Sequence, residues 1–260
     1  MKKIVTTLCA LLLVMQSASA WNRSIHAGIA AIAHNNLTEQ TKAAIADILD
    51  GRSIVHSASR PATNHELIAF NAKGKMITPK KAAKSKNAEV KAALLMQDIE
   101  GAIAALKDPQ TPKDVKAAML KSLVIAIGDL NCPGHYIYTD ALKYRDIVFF
   151  HTKDPKERKY TEFWESAAVQ GTFGWLTNEF VHQLSRKSAE QVAQITAGSV
   201  TDWAASNAAA YRPLYKAIEN NHHFEQGIDY RLWLNTIYPT AVEQVAVAGY
   251  RLAALLNSIF

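Results

Sequence analysis

Gly128-Asp129-Leu130-Asn131-Cys132-Pro133-Gly134-His135 closes a long apolar-periodic segment, and how that segment is read sets the fold class. Upstream of it, Val115, Leu120, Leu123, Val124 and Ile127 recur at helical spacing. Pro112 suits the first turn of such a helix, which is expected to end at Gly128-Asp129. Pro133 and Gly134 then force a turn that can fold His135 back toward Asp129. Carboxylate and imidazole are typical zinc ligands. The plain structural alternative is Asp129 as a helix cap and His135 on the surface.

The same periodicity continues outward. Ile25, Ile29, Ile32 and Ala33 predict a first helix. Thr38-Glu39-Gln40-Thr41 opens a second, through Ala44, Ile45, Ile48 and Leu49, stopped by Gly51. Residues 52–87 have no period and carry Pro61, Gly74 and Pro79, so loop is expected there. Ala88 to Leu106 reads as one helix. Asp146 to His151 is the best strand candidate, with a charged turn after it. The chain closes on Thr240 to Ile259, where Val242, Val245, Ala246, Gly249, Leu252, Ala253, Leu256 and Ile259 form one apolar face. No repeat, linker or membrane span interrupts this pattern. The expectation is a single mainly α domain, a helical bundle with at most a small β-hairpin.

The first residues read as a targeting segment. Lys2 and Lys3 precede an apolar stretch from Ile4 to Met15, and Ala18-Ser19-Ala20 supplies a small-x-small cleavage site. The stretch is too short to span a bilayer. Residues 1–20 are therefore expected to be a signal peptide and residues 21–260 the mature chain, exported to a periplasmic or extracellular location. Losing Lys2 and Lys3, with no acid in residues 1–20, lowers the net charge from +6 to +4. Cys132 is then the only cysteine, which excludes an internal disulfide, so the fold must be held by its core or by metal. Cleavage also makes Trp21 an amino terminus. Its α-amino nitrogen and carbonyl can chelate, and His26 can close on the same ion if a helix begins between them. The alternative is Trp21 packed in the core and His26 on a polar face.

Lys159-Tyr160-Thr161-Glu162-Phe163-Trp164-Glu165-Ser166 places Glu162 and Glu165 three apart on one helical face, where Glu165 can ligate a metal or simply be solvated. Lys73, Lys75, Lys80, Lys81, Lys84, Lys86 and Lys91 are opposed only by Glu89. Such a run draws in phosphate-rich partners or forms a solvated loop. His222-His223 reads as exposed loop, and His34, His56, His65, His151 and His182 show no ligand spacing.

Together these pieces resemble the S1/P1 nuclease family, which shares its fold with zinc-dependent phospholipases C. The resemblance spans essentially all of residues 21–260. Trp21-Asn-Arg-Ser-Ile-His26 sits where that family has Trp-Gly-x-x-Gly-His at its processed terminus. The 128–135 stretch is similar to the family's Gly-Asp-(Ile/Leu)-His-Gln-Pro-(Leu/Met)-His, and Tyr160 to Ser166 to its Leu-His-x-x-Trp-Asp-Ser. Ala248 to Asn257 is similar to the final helix of bacterial members. The resemblance implies a zinc-dependent nuclease in which clustered zinc ions activate water against a phosphodiester, leaving a 5′-phosphate. It implies Trp21 and His26 on one zinc, Asp129 as a bridging and catalytic carboxylate, and His135 at a further site.

The departures change the expected metal content. Ile125 stands where the family has a zinc histidine, Thr161 replaces a second histidine, and Glu165 replaces an aspartate. The family's Trp-Ala-Asp segment should fall within 53–70, and Ser53 to Pro61 contains no aspartate. Isoleucine cannot bind zinc and threonine binds it poorly. About one tightly held zinc is expected, at Trp21, His26 and Asp129, with Glu165 helping His135 hold a weaker one. Three functions stay open: a nuclease on single-stranded nucleic acid or nucleotides, a degenerate relative that binds a ligand or partner, and a phosphodiesterase for another substrate such as a phospholipid head group. A cleft lined by Trp175, Trp203, Tyr136 or Tyr138 would favour nucleic acid, because aromatic faces stack on bases.

Overall fold

Ile25, Ile29 and Ile32 fall on the buried side of α1 (Arg23–Asn35), the first helix among the described residues of the computed structural model. The structure describes Trp21 and residues 23–58, 67–146, 149–151, 154–158, 160–168, 175–220, 222–223, 227–228 and 233–260. The expected signal peptide and His65 lie outside these residues. Thr38 caps α2 (Glu39–Ile48) by accepting from the Thr41 N–H, as its sequence predicts.

Residues 52–87 are more structured than their lack of period suggests. They contribute α3 (Ile54–Ala58), β1 (Ile68–Phe70) and α4 (Pro79–Ala82). The helix predicted from Ala88 to Leu106 is two, α5 (Ala88–Lys91) and α6 (Leu95–Lys107). The break has a cause: the Leu95 N–H is drawn to the Leu67 carbonyl at 3.1 Å, which ties the start of α6 to the residue before β1. Helix α7 (Lys113–Leu130) follows Pro112 and ends one residue past the expected Gly128-Asp129.

A 3₁₀ turn, Pro133–His135, leads directly into β2 (Tyr136–Tyr138). β2 pairs in parallel with β1, in the register Ile68↔Tyr136, Ala69↔Ile137, Phe70↔Tyr138. A second 3₁₀ turn spans Leu142–Asp146. The predicted strand appears as β3 (Phe149–His151), antiparallel to β4 (Asp154–Arg158). The described residues thus hold three two-stranded pieces rather than one hairpin, the last being β5 (His222–His223) with β6 (Gly227–Ile228).

The remainder is helical: α8 (Tyr160–Glu162) widening into a π turn at Phe163–Ala167, then α9 (Thr177–Leu184), α10 (Ala189–Thr196), α11 (Val200–Asn220), a π turn at Trp233–Ile237 and α12 (Tyr238–Ile259). The fold is mainly α, as expected. Helix α12 is buried nearly all round between Val245 and Ala253, wider than the single face its sequence suggests. It lies directly on α1. At Gly249 a Cβ would stand 2.6 Å from the Ile32 side chain, so only glycine permits that approach. Among the described residues no helix is long and apolar enough to cross a membrane.

The C-terminal end of α7 is where polar groups enter the core. Four carbonyls at such an end lack helical partners. Here Asn131 Nδ2 donates to Ile127 O, Tyr136 Oη and Asn207 Nδ2 both donate to Leu130 O, and Tyr211 Oη donates to Asn131 O. Arg251 reaches in from α12, donating to Asn131 Oδ1 at 2.7 Å and Asn207 Oδ1 at 3.1 Å, with its guanidinium over the Trp203 ring. A cation at a helix C-terminus also complements the helix dipole.

Candidate functional site

Trp21 is fully buried, and its indole N–H donates to the Gly128 carbonyl at 3.0 Å. That bond ties the start of the described chain to the last turn of α7. His26, in the first turns of α1, therefore faces the same turn. Gly128 makes room for it, since a Cβ there would lie 2.7 Å from His26 Nδ1. The imidazole meets the carboxylate of the next residue, with His26 Nε2 3.3 Å from Asp129 Oδ1. Both side chains are buried, His26 at 2% exposure and Asp129 at 0%.

The second pair is built on the turn after α7. Gly134 packs so tightly on α8 that a Cβ would lie 2.9 Å from Trp164 Cβ and 3.2 Å from the Thr161 backbone. This approach brings His135 Nε2 to 3.5 Å from Glu165 Oε1, and both residues are buried. Burial opposes the charged form of His135. The neighbouring Cys132, Glu165 and Asp129 outweigh it and hold the imidazole pKa well above its ordinary value. Burial pushes the Cys132 thiol up.

The plain structural alternatives fail at His26, His135 and Glu165 and hold at Trp21, which is packed in the core. His26 is not on a polar face, His135 is not on the surface, and Glu165 is not solvated. Trp21 and Trp164 are in the core. Glu162 belongs to the same segment, but its side chain lies outside the described set. Tyr136, Tyr138 and Trp203 are buried too, so they offer no open stacking platform; Trp175 packs edge-on against Phe180. His56 and His182 are exposed.

The polar atoms of these pairs test whether a metal fits. His26 Nδ1 and Nε2, both Asp129 oxygens and Glu165 Oε1 are buried without a hydrogen-bond partner. Such groups are costly unless something else satisfies them. Zinc holds nitrogen and oxygen donors at about 2.0–2.2 Å in a tetrahedron, which separates two donors by about 3.3–3.5 Å. Both imidazole–carboxylate pairs have that separation, which exceeds a good hydrogen bond. The donor types and spacing fit the edge of a zinc site. Among the described residues, however, no three His, Cys, Asp or Glu side chains converge on one position.

The two substituted positions show what replaced the donors. Ile125 is buried apolar surface one turn before Asp129. Thr161 is engaged elsewhere: Arg145 Nη2 donates to its hydroxyl at 2.7 Å, and the hydroxyl donates to Gly134 O at 3.2 Å. Arg145 is a hub that sequence reading missed. It forms a two-point ion pair with Glu89 at 2.6 and 3.0 Å, and Nη1 donates to Gly134 O and Tyr136 O, the carbonyls either side of His135. A lone arginine in a polar stretch gives no sequence signal. Arg251 was missed as well, although it stands as a charge inside the apolar run of the final helix.

A sequence model of the S1/P1 Nuclease family matches residues 21–260, beginning at Trp21. No curated protein matches the chain.

Proposed function

The chain belongs to the S1/P1 nuclease family, and on that footing we propose that it is an exported, zinc-dependent phosphodiester hydrolase of single-stranded nucleic acid that works with a reduced metal set. Membership gives the function in general terms, a nuclease or phosphodiesterase, within a family that is typically zinc-dependent. The observation that carries the finer reading is the buried His26–Asp129 pair, 3.3 Å apart with all four polar atoms unsatisfied.

After removal of residues 1–20, the Trp21 amino nitrogen and carbonyl, His26 and Asp129 hold the tight ion. His135 and Glu165 hold a weaker one. Bound zinc lowers the pKa of a water and neutralises charge on phosphoryl oxygens. The chain's own residues do the rest. The Trp21 indole bond to Gly128 fixes the new terminus against α7. The polar cluster around Asn131 anchors the end of α7 and so the direction of Asp129. Arg145 grips the carbonyls flanking His135 and sets that imidazole toward Glu165.

A second reading, a binding protein without catalysis, is favoured by one observation: the Thr161 hydroxyl is taken by a guanidinium, so a cation already occupies the neighbourhood of a lost zinc ligand. The two readings part in one assay, cleavage of a labelled single-stranded oligonucleotide by zinc-loaded mature protein with Asp129→Ala beside it. Slow cleavage abolished by the substitution supports the hydrolase. No cleavage with retained oligonucleotide binding supports the second reading. Robust turnover that survives loss of Asp129 sinks both and places the chemistry elsewhere.

A further inference from the structure

The lysine-rich segment from Lys73 to Lys91 is left unused by the site. All seven of its lysines are exposed. Its single acid, Glu89, is turned onto Arg145 in the two-point ion pair. Among the described residues none of the seven lysines takes part in an ion pair. The one charge that could have balanced the run is spent on holding the motif turn. Within the segment no acid is therefore left to balance the lysines.

The lysines are also presented from a built surface. Asn71 Oδ1 accepts from the Lys73 and Lys75 N–H groups, and Gly74 takes a φ of 71° to close that turn. Ala82 and Val90 anchor α4 and α5 inward. The segment begins directly after β1, whose last residue pairs with Tyr138, three residues past His135. At strand spacing the backbone of Tyr138 is about 10 Å from that of His135. At its other end Glu89 is joined through Arg145 to Gly134, Tyr136 and Thr161.

We infer that the 73–91 surface is a docking track for the sugar–phosphate backbone of a single strand, delivering it to the His26–Asp129 and His135–Glu165 pairs. The inference rests on the nuclease reading for the identity of the polyanion. An anionic membrane is the less fitting partner. The exposed large apolar side chains among the described residues are Val115 and Leu176, and neither lies in the segment, so nothing there would insert into lipid. Spaced lysines without exposed large apolar neighbours match a flexible line of phosphates.

The test is binding of a fluorescein-labelled oligothymidylate to mature protein in chelator, so that no cleavage occurs, between 50 and 200 mM salt. Four backbone contacts give a salt slope of about −3 and about a 50-fold loss of affinity over that range. Lys80→Glu/Lys81→Glu/Lys84→Glu should weaken binding at least tenfold at low salt and flatten the slope by about 2. The matching Gln variants should fall between it and wild type. Lys107→Glu/Lys116→Glu, outside the segment, should bind as wild type. Unchanged affinity and slope in the triple Glu variant overturns the inference, as does tighter binding to phosphatidylserine vesicles than to the oligonucleotide. Because binding is read without turnover, a protein that binds through these lysines and cleaves nothing keeps the docking track and loses only the hydrolase reading. A protein that cleaves normally after the triple substitution does the reverse.

Discussion

Replacing Asp129 with asparagine separates the two demands made on this carboxylate. In the metal-free chain it is a fully buried carboxyl group whose oxygens have no hydrogen-bond partner, facing an imidazole in the same position. An unsatisfied buried polar group costs about 1–3 kcal/mol, and more when charged. Asparagine keeps the shape, removes the charge and offers an amide N–H toward His26 Nε2, 3.3 Å from the present Oδ1. Asp129→Asn should therefore stabilise the chelated mature protein by about 2 kcal/mol. In a domain of this size that raises Tm by about 4–8 °C. With zinc a thousandfold above its Kd, the wild type gains about 4.1 kcal/mol and the variant gains little, so the order of the two melting temperatures reverses. Scanning calorimetry of both proteins in chelator and in zinc reads this directly. A variant less stable than wild type in chelator, or an equal zinc shift in both, would refute the reasoning.

Three further outcomes follow from the same geometry. His26→Ala, and separately a chain with residues retained before Trp21, should each lose the tightly bound metal by elemental analysis, with about one ion per wild-type chain; wild-type content in both would remove Trp21 and His26 from the site. Thr161→His combined with Ile125→His should raise metal content little while Arg145 is present, because its guanidinium sits 2.7 Å from the Thr161 hydroxyl; a full family complement of zinc in that double variant would show the arginine to be no obstacle. Gly128→Ala drives a methyl group to 2.7 Å from His26 Nδ1 and should cost about 1–3 kcal/mol in urea denaturation together with bound metal; a variant neutral in both measurements would mean that α1 and α7 are not in tight contact at this point.

What the sequence made legible was whatever depends on local period and short motifs. The helices around Ile25–Ala33, Thr38–Leu49 and Pro112–Ile127 follow from apolar spacing and caps. The family resemblance, rather than any single motif, pointed to His26 beside Asp129 and to His135 beside Glu165, the two pairs that the structure brings together. The parallel pairing of Ile68–Phe70 with Tyr136–Tyr138 was invisible, because three-residue strands carry no period and their pairing is decided by contacts remote in sequence. The break between Lys91 and Leu95 was hidden for the same reason, a single backbone hydrogen bond to Leu67. Burial of Glu165 ran against its residue type, and a π turn beginning at Phe163 alters the three-apart geometry assumed for Glu162 and Glu165. Arg145 escaped notice because its importance lies wholly in what it touches.

The packing of α12 on α1 has a consequence for the newborn chain. His26 leaves the ribosome early, whereas Tyr238, where its supporting helix begins, follows about 200 residues later. Until Gly249 has been made and has closed over Ile32, α1 lacks one of its walls. A nascent polypeptide thus carries Trp21, His26, Asp129 and His135 long before it can lock the first pair in place. The order of synthesis itself leaves the His26–Asp129 pair without one of its supporting walls until Gly249, in the final helix, has emerged.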